Sequence, residues 1–306
     1  SLTVLRLISL VSYLLTLPAI YFTGKLATGD KRSGMLAAIL LGLSPFMLWY
    51  AMRGTMYAPL VLMTVLNQLC FLLVLRKKAW AWPLYVLTAA TGLGLHYFFI
   101  TLLVLQWWFY FIKRREYSRT HKLLMAGSAA ALLIGYVLWM HYLSDAIHIF
   151  AALPYAGKPS ATNAFIIFVQ YLFGFQSVTT ITFVIAFWPL LVIVALLAVQ
   201  KYARPPAGIQ YATFTAVALI LGVFILSWIW RSLFLASYLI IGLPAFFLLV
   251  SWYLVALELN ILAWARTALV VVMAVMLLIE LLHPVRAVNE DYLGSLALPR
   301  STLLLH

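Results

Sequence analysis

Apolar runs close to bilayer length follow one another along this 306-residue chain, separated by short connectors that hold most of its lysines and arginines. Lipid offers a backbone no hydrogen bonds, so such a chain can fold only into helices or a closed barrel that satisfy their own N–H and C=O groups. The runs are continuous rather than alternating, which selects helices. Hydrophobic residues make up 66% and charged residues 9%, with a mean hydropathy of +1.07. A water-soluble core of this size is excluded. The fold class is all-α, that of a polytopic membrane protein.

The hydropathy pattern predicts about ten transmembrane helices, at 4–23, 34–51, 57–75, 80–96, 98–112, 123–142, 178–199, 210–228, 235–256 and 264–282. A further segment, 163–175, is too short to span and reads as an interfacial helix on the outer face. The pair 80–112 has almost no connector, so its arms should form a tight hairpin turning at His96 and Tyr97. Neither repeats nor linkers divide the chain. One transmembrane domain, 1–282, precedes a short outer-face tail, 283–306.

A net charge of +13 raises nucleic acid as a partner, but the cations sit in connectors of alternating parity rather than on one face. Fourteen of them (Lys25, Lys31, Arg32, Arg76, Lys77, Lys78, Lys113, Arg114, Arg115, Arg119, Lys122, Lys201, Arg204 and Arg266) share one parity. Six (Arg6, Arg53, Lys158, Arg231, Arg286 and Arg300) share the other. Nucleic acid is set aside, and the positive-inside rule makes the richer set cytoplasmic. Arg53, Lys158 and Arg231 then face outward, across a membrane read as the bacterial inner membrane. The single cysteine, Cys70, lies in an apolar run and supports neither a disulfide nor a metal knuckle. The chain opens at Ser1 without a methionine or a signal-peptide pattern, and the expectation is that a leading helix and the loop behind it precede it.

Several segments resemble a known family. SPFMLWYAMRGTMYAPLVL from Ser44 and WPLYVLTAATGLGLHYFFITLLVLQ from Trp82 are similar to glycosyltransferase family 39 of the GT-C superfamily, which includes protein O-mannosyltransferases and aminoarabinose transferases of lipid A. LTLPAIYFTGKLATGDKRSGMLAAILLGLSP, GKPSATNAFIIFVQYLFG and WRSLFLASYLIIGLPAFFLLV extend the resemblance in order along the chain. The resemblance implies a membrane enzyme that moves a sugar from a polyprenyl-phosphate carrier to an acceptor at the outer face. Such transfer needs a carboxylate to take the acceptor proton, cations or a metal for the departing phosphate, and a groove for the lipid.

The chain departs from the family pattern where that chemistry should be. The family's catalytic acids lie in its first outer loop, and none of the seven acids here matches them. Relatives carry Q-E-x-R-M-Y where this chain has Met52, Arg53, Gly54, Thr55, Met56 and Tyr57. Late in the chain, Ser237 replaces the arginine before Tyr238, and Arg231 stands six residues earlier. The remaining outward acids are Asp145, Glu280, Glu290 and Asp291, of which Asp145 is the weak catalytic candidate.

Binding candidates follow from chemistry at headgroup depth. Arg53, flanked by Trp49, Tyr50 and Tyr57, can grip a lipid phosphate bidentately; the bland alternative is an arginine snorkelling beside an aromatic belt. Arg231 beside Trp230 reads the same way. His96 matches a family histidine, or else simply caps a helix end. His141, Asp145 and His148 at i, i+4 and i+7 would share one helix face and are weak candidates for a divalent metal ion, the one cofactor in view. Asn67, Gln68 and Gln106 lie mid-helix and read as interhelical hydrogen-bonding groups rather than a sugar path.

Two functions stay open. One is a glycosyltransferase acting on a polyprenyl-phosphate sugar in contact with membrane lipids, with its catalytic acid outside this chain, so that the chain alone is inactive. The other is a non-catalytic relative, a structural or assembly subunit beside a companion membrane protein.

Overall fold

The computed structural model describes residues 2–142, 158–174, 204–229 and 233–258, with positions 267 and 271 besides, and all regular structure among them is helical. The helices are α1 (Leu2–Thr28), α2 (Lys31–Leu43), α3 (Pro45–Met52), α4 (Tyr57–Leu75), α5 (Ala81–Leu95), α6 (Ile100–Ile112, entered through a 3-10 turn at Tyr97–Phe99), α7 (Arg119–Tyr142), α8 (Ala161–Phe173), α9 (Ala207–Ile229), α10 (Ala236–Leu239) and α11 (Leu243–Glu258). By length and composition α1, α4, α7, α9 and the run Ala236–Ala256 can each cross a membrane. The pair α2–α3 makes a sixth if its two arms count as one span. The chain is an all-α polytopic membrane protein; the helices expected at 178–199 and 264–282, and the tail, lie outside the described residues apart from positions 267 and 271.

Three expected spans differ in detail. The span at 34–51 is two helices bent by 56°. Pro45 lacks an N–H and crowds the residue before it out of helical geometry. Ser44 is accordingly extended (φ −63°, ψ 116°), and its side chain caps α3 by accepting from the Met47 amide at 3.3 Å. The arms of the 80–112 hairpin, α5 and α6, have 15 and 13 residues, fewer than the about 20 that a perpendicular crossing needs. They turn at His96, as expected.

The bundle is built around α1, which packs on α2 and α4; α5 lies on α4, and α11 closes against α2 and α9. The buried stripe of α1 is rich in small residues, Ser9, Ser12, Thr16, Ala19, Thr23 and Ala27, with Tyr13 and Ile20 among them. Its outward stripe, including Leu7, Leu14, Leu15 and Phe22, is large and apolar. That inversion suits lipid, where helix association depends on close packing and not on hydrophobicity. The hydroxyls of Thr16 and Thr23 bond back to the carbonyls of Ser12 (2.7 Å) and Ala19 (2.8 Å), which satisfies them within the helix. Where α1 meets α2, Gly24 faces Gly34, and a Cβ on Gly34 would stand 2.5 Å from the Tyr21 carbonyl.

A polar network crosses the core. Gln106 on α6 donates to Asn67 Oδ1 on α4 (2.9 Å) and to the Tyr211 hydroxyl on α9 (3.0 Å). Asn67 donates to the Tyr85 carbonyl (3.2 Å) and to Thr88 (3.1 Å) on α5. Asn67 and Gln106 thus tie four helices together, in the interhelical role read from the sequence. The segment expected at 163–175 is α8, begun by a reciprocal Ser160–Asn163 cap. Its buried Tyr171 accepts at its carbonyl from Ser44 Oγ (2.8 Å) and donates its hydroxyl to the Leu239 carbonyl. The bend at Ser44 is therefore where α8 and, through Tyr171, α10 lock onto the bundle.

Candidate functional site

Arg53 ends α3 in a helical conformation (φ −76°, ψ −14°), and the chain turns at once through Gly54 at φ +68°. That left-handed conformation favours glycine, and space demands it too, since a Cβ there would come within 3.0 Å of both the Arg6 backbone and its Cγ. Ser9 Oγ donates to the Thr55 carbonyl at 3.0 Å. The 53–56 turn is thereby fastened to the first turns of α1, and two arginine-bearing segments meet at one end of the bundle. One helical turn before Arg53, the Trp49 ring lies under its guanidinium at 4.1 Å. Stacking on an indole fixes the plane of the guanidinium.

Tyr57 opens α4 just after this turn. Its ring lies 4.9 Å from Tyr50 and 6.0 Å from the His96 imidazole. His96 closes α5 in an extended conformation, and its Nδ1 accepts the Phe98 amide at 3.1 Å. An accepting Nδ1 places the proton of the neutral ring on Nε2. Burial to 5% exposure lowers its pKa from 6.5 to about 4, so the imidazole is uncharged at neutral pH. Tyr97 stacks on it at 4.8 Å, Tyr238 meets it edge-on at 5.3 Å, and the Tyr97 hydroxyl donates to that of Tyr238 at 2.6 Å. Tyr57, Tyr97 and Tyr238 thus surround a neutral His96, and the 53–56 turn that carries Arg53 leads directly into Tyr57.

Of the sequence candidates, the structure brings Tyr57 and His96 into contact, with Arg53 in the turn that precedes Tyr57. Arg231, Asp145 and His148 lie outside the described residues. His141 is exposed near the end of α7, and among the described residues no three His, Cys, Asp or Glu side chains approach closely enough to hold a metal ion. Lys158 lies 5.2 Å from the Trp228 ring, and Trp228 Nε1 donates to the Pro159 carbonyl (2.9 Å), which ties the start of α8 to the end of α9.

Sequence reasoning missed Tyr97, Tyr238 and Arg6. Tyr238 had a signal, since it is the tyrosine before which Ser237 replaces the arginine of the resembled family. Tyr97 was legible only as the neighbour of His96, and Arg6 only as one of the minority cations. Carboxylates are conspicuous by where they stand: Asp30 caps α2 by accepting the Arg32 amide at 2.8 Å, and Glu116 lies 3.6 Å from Lys113. Both belong to the other end of the bundle, and Glu258 closes α11 there. Among the described residues, then, no acid side chain is seen beside Arg53.

Residues 1–141 match the family model described as dolichyl-phosphate-mannose-protein mannosyltransferase, a stretch that contains Arg53, Tyr57 and His96. No curated protein and no solved structure matches the chain.

Proposed function

From membership of the GT-C superfamily of membrane glycosyltransferases, which the match over residues 1–141 supports, we propose that this chain binds a sugar carried on a polyprenyl phosphate at the Arg53 end of the bundle. What supports this reading is a guanidinium stacked on Trp49, in the turn that leads into Tyr57, together with the Tyr57–His96–Tyr97–Tyr238 ring cluster. Arg53 would take the phosphate bidentately. The tyrosines offer ring faces to the sugar and isoprenoid, and hydroxyls to the sugar oxygens. His96 contributes a neutral Nε2–H donor, and a ring that stays uncharged near pH 7 does not repel the arginines. This end is read as the outer face, from the 14-to-6 division of the lysines and arginines.

Binding is tested with the purified full chain in nanodiscs and a synthetic polyprenyl phosphate. Arg53→Ala should weaken binding about ten- to a hundredfold, the span expected for a charge-assisted hydrogen-bonded pair. Unchanged affinity would remove Arg53 from the site.

Transfer itself requires a base, which typically supplies about 10²–10⁴-fold in rate. The reading holds that this base is none of the chain's seven acids, so residues 1–306 alone should bind the carrier without turning over. Turnover abolished by Asp145→Asn would refute that and move the chemistry to the His141–His148 segment. A second reading, a non-catalytic subunit of a membrane complex, is favoured by one observation: Arg53 stands where relatives carry an acid. Turnover that appears only with a companion polypeptide supplying the carboxylate supports the enzyme; none under any partner supports the subunit.

A further inference from the structure

Four helix ends meet at the end of the bundle opposite Arg53: the C-termini of α1, α4 and α6 and the start of α9. Between them lies a cavity of about 230 Å³, lined by Thr28, Gly29, Arg76, Lys113, Glu116 and Gly208 among others. Gly208 sets its width, because α9 approaches α1 so closely there that a Cβ would come 2.5 Å from the Ala27 Cα. Arg76 donates to the Leu26 carbonyl, which holds its guanidinium across the gap between α4 and α1 and leaves donors of its five N–H groups for another acceptor.

The wall is cationic in balance. Lys113 is the more sheltered partner of its ion pair, with its side chain 31% exposed against 61% for Glu116, and the pair is loose at 3.6 Å. Both line the cavity, with the carboxylate side chain the more open to water. Lys25, Lys77, Lys78, Arg114 and Arg115 belong to the same end and add to the potential at the mouth. Trp80 and Trp108, both more than half exposed, stand near this end as interfacial indoles do at headgroup depth. Basic pockets between transmembrane helices on the cytoplasmic side are fitted for anionic headgroups. The volume is roughly seven to eight times the about 30 Å³ share of a liquid water molecule, room for a phosphate with a short polyol substituent but not for a whole lipid.

We propose that this cavity binds the phosphate of one anionic lipid headgroup from the adjoining leaflet, held by Arg76 and Lys113. Bound there, the phosphate bridges the ends of α4 and α6 and ties them to α1 and α9. The site lies at the far end of α4 from Arg53, so it is independent of the glycosyltransferase reading, and either can fail without the other.

The test uses the purified full chain in nanodiscs of phosphatidylcholine with and without phosphatidylglycerol, read by native mass spectrometry and by thermal unfolding, with inorganic phosphate in a separate arm. Retention of one phosphatidylglycerol with a rise in unfolding temperature is expected. Arg76→Gln with Lys113→Gln should weaken retention by about tenfold or more, whereas Lys78→Gln with Arg115→Gln, which removes equal charge outside the cavity, should not. Arg76 also bonds to the end of α1, so if the double variant fails to fold, Lys113→Gln alone decides. An equal loss in the control pair would reduce the effect to general surface charge and overturn the proposal. A shift reproduced by inorganic phosphate at equal concentration would overturn the lipid source while keeping the phosphate site. No retained lipid and no shift would overturn both.

Discussion

Gln68 and Gln106 are both fully buried amides in adjacent parts of the core, yet their side chains are satisfied very differently. Gln106 donates through Nε2 to Asn67 and Tyr211 and leaves only its Oε1 unbonded, whereas among the described residues neither amide atom of Gln68 has a hydrogen-bond partner. Removing one partner of a made bond strands the other, while replacing an unmade bond by an apolar group of similar shape removes only a desolvation cost. Gln106→Leu should therefore destabilise the protein by about 1–3 kcal/mol, and Gln68→Leu should leave stability unchanged or raise it. Thermal unfolding in detergent separates the two, and a larger loss for Gln68→Leu would mean the amide has a partner in the membrane. His96 makes a pH prediction. Its folded pKa, lowered to about 4 by burial, lies below the ordinary 6.5, so the unfolded state binds the proton more readily. Its contribution to stability is complete above about pH 6.5 and is lost as pH falls toward 4. His96→Gln should flatten that part of the profile.

At the scale of elements, the bend between α2 and α3 shows what short-range chemistry can and cannot announce. Ser44–Pro45 is a legible helix stop and start, yet an unbroken apolar run over 34–51 reads as one span because periodicity carries no information about where a helix bends. The lock that holds the bend, Ser44 Oγ to the Tyr171 carbonyl, joins residues 127 apart in sequence. Ser44→Ala removes both the cap and this bond and should cost about 1–2 kcal/mol, with Ser44→Thr retaining part of it. The α1–α2 contact gives a steeper test. Gly34→Val must displace the Tyr21 backbone rather than a flexible side chain, so a loss of at least about 1–3 kcal/mol is expected, against little for Gly94→Ala, where nothing lies within 4 Å. The candidate site was legible in the same uneven way. Arg53, Tyr57 and His96 were visible from residue type and membrane depth, but Tyr238 reaches His96 only through the path of the chain after α9, and Gly54 shows its need for a positive φ only once α1 is beside it.

For the whole molecule, the decisive quantity is which end faces the cytoplasm, since the carrier site and the phosphate cavity belong to opposite ends. The structure groups the ends of α1, α4 and α6 with the start of α9, so Lys25, Arg76–Lys78, Lys113–Arg115 and Arg204 fall together, while Arg6, Arg53 and Lys158 fall at the other end. Charge bias of this size orients short connectors because translocating lysine and arginine is disfavoured. Single cysteines at positions 77 and 158, in a chain whose own Cys70 is buried and so a poor target for a water-soluble reagent, can be probed in intact cells with a membrane-impermeant maleimide. Position 158 should label at once and position 77 only after permeabilisation. Labelling of 77 from outside would invert the bundle, placing Arg53 and the tyrosine cluster in the cytoplasmic leaflet. The donor would then have to be reached from the cytoplasm, and the phosphate cavity would meet the outer leaflet instead. A positive result leaves the two sites where their chemistry requires them, with the sugar carrier outside and the anionic headgroup inside.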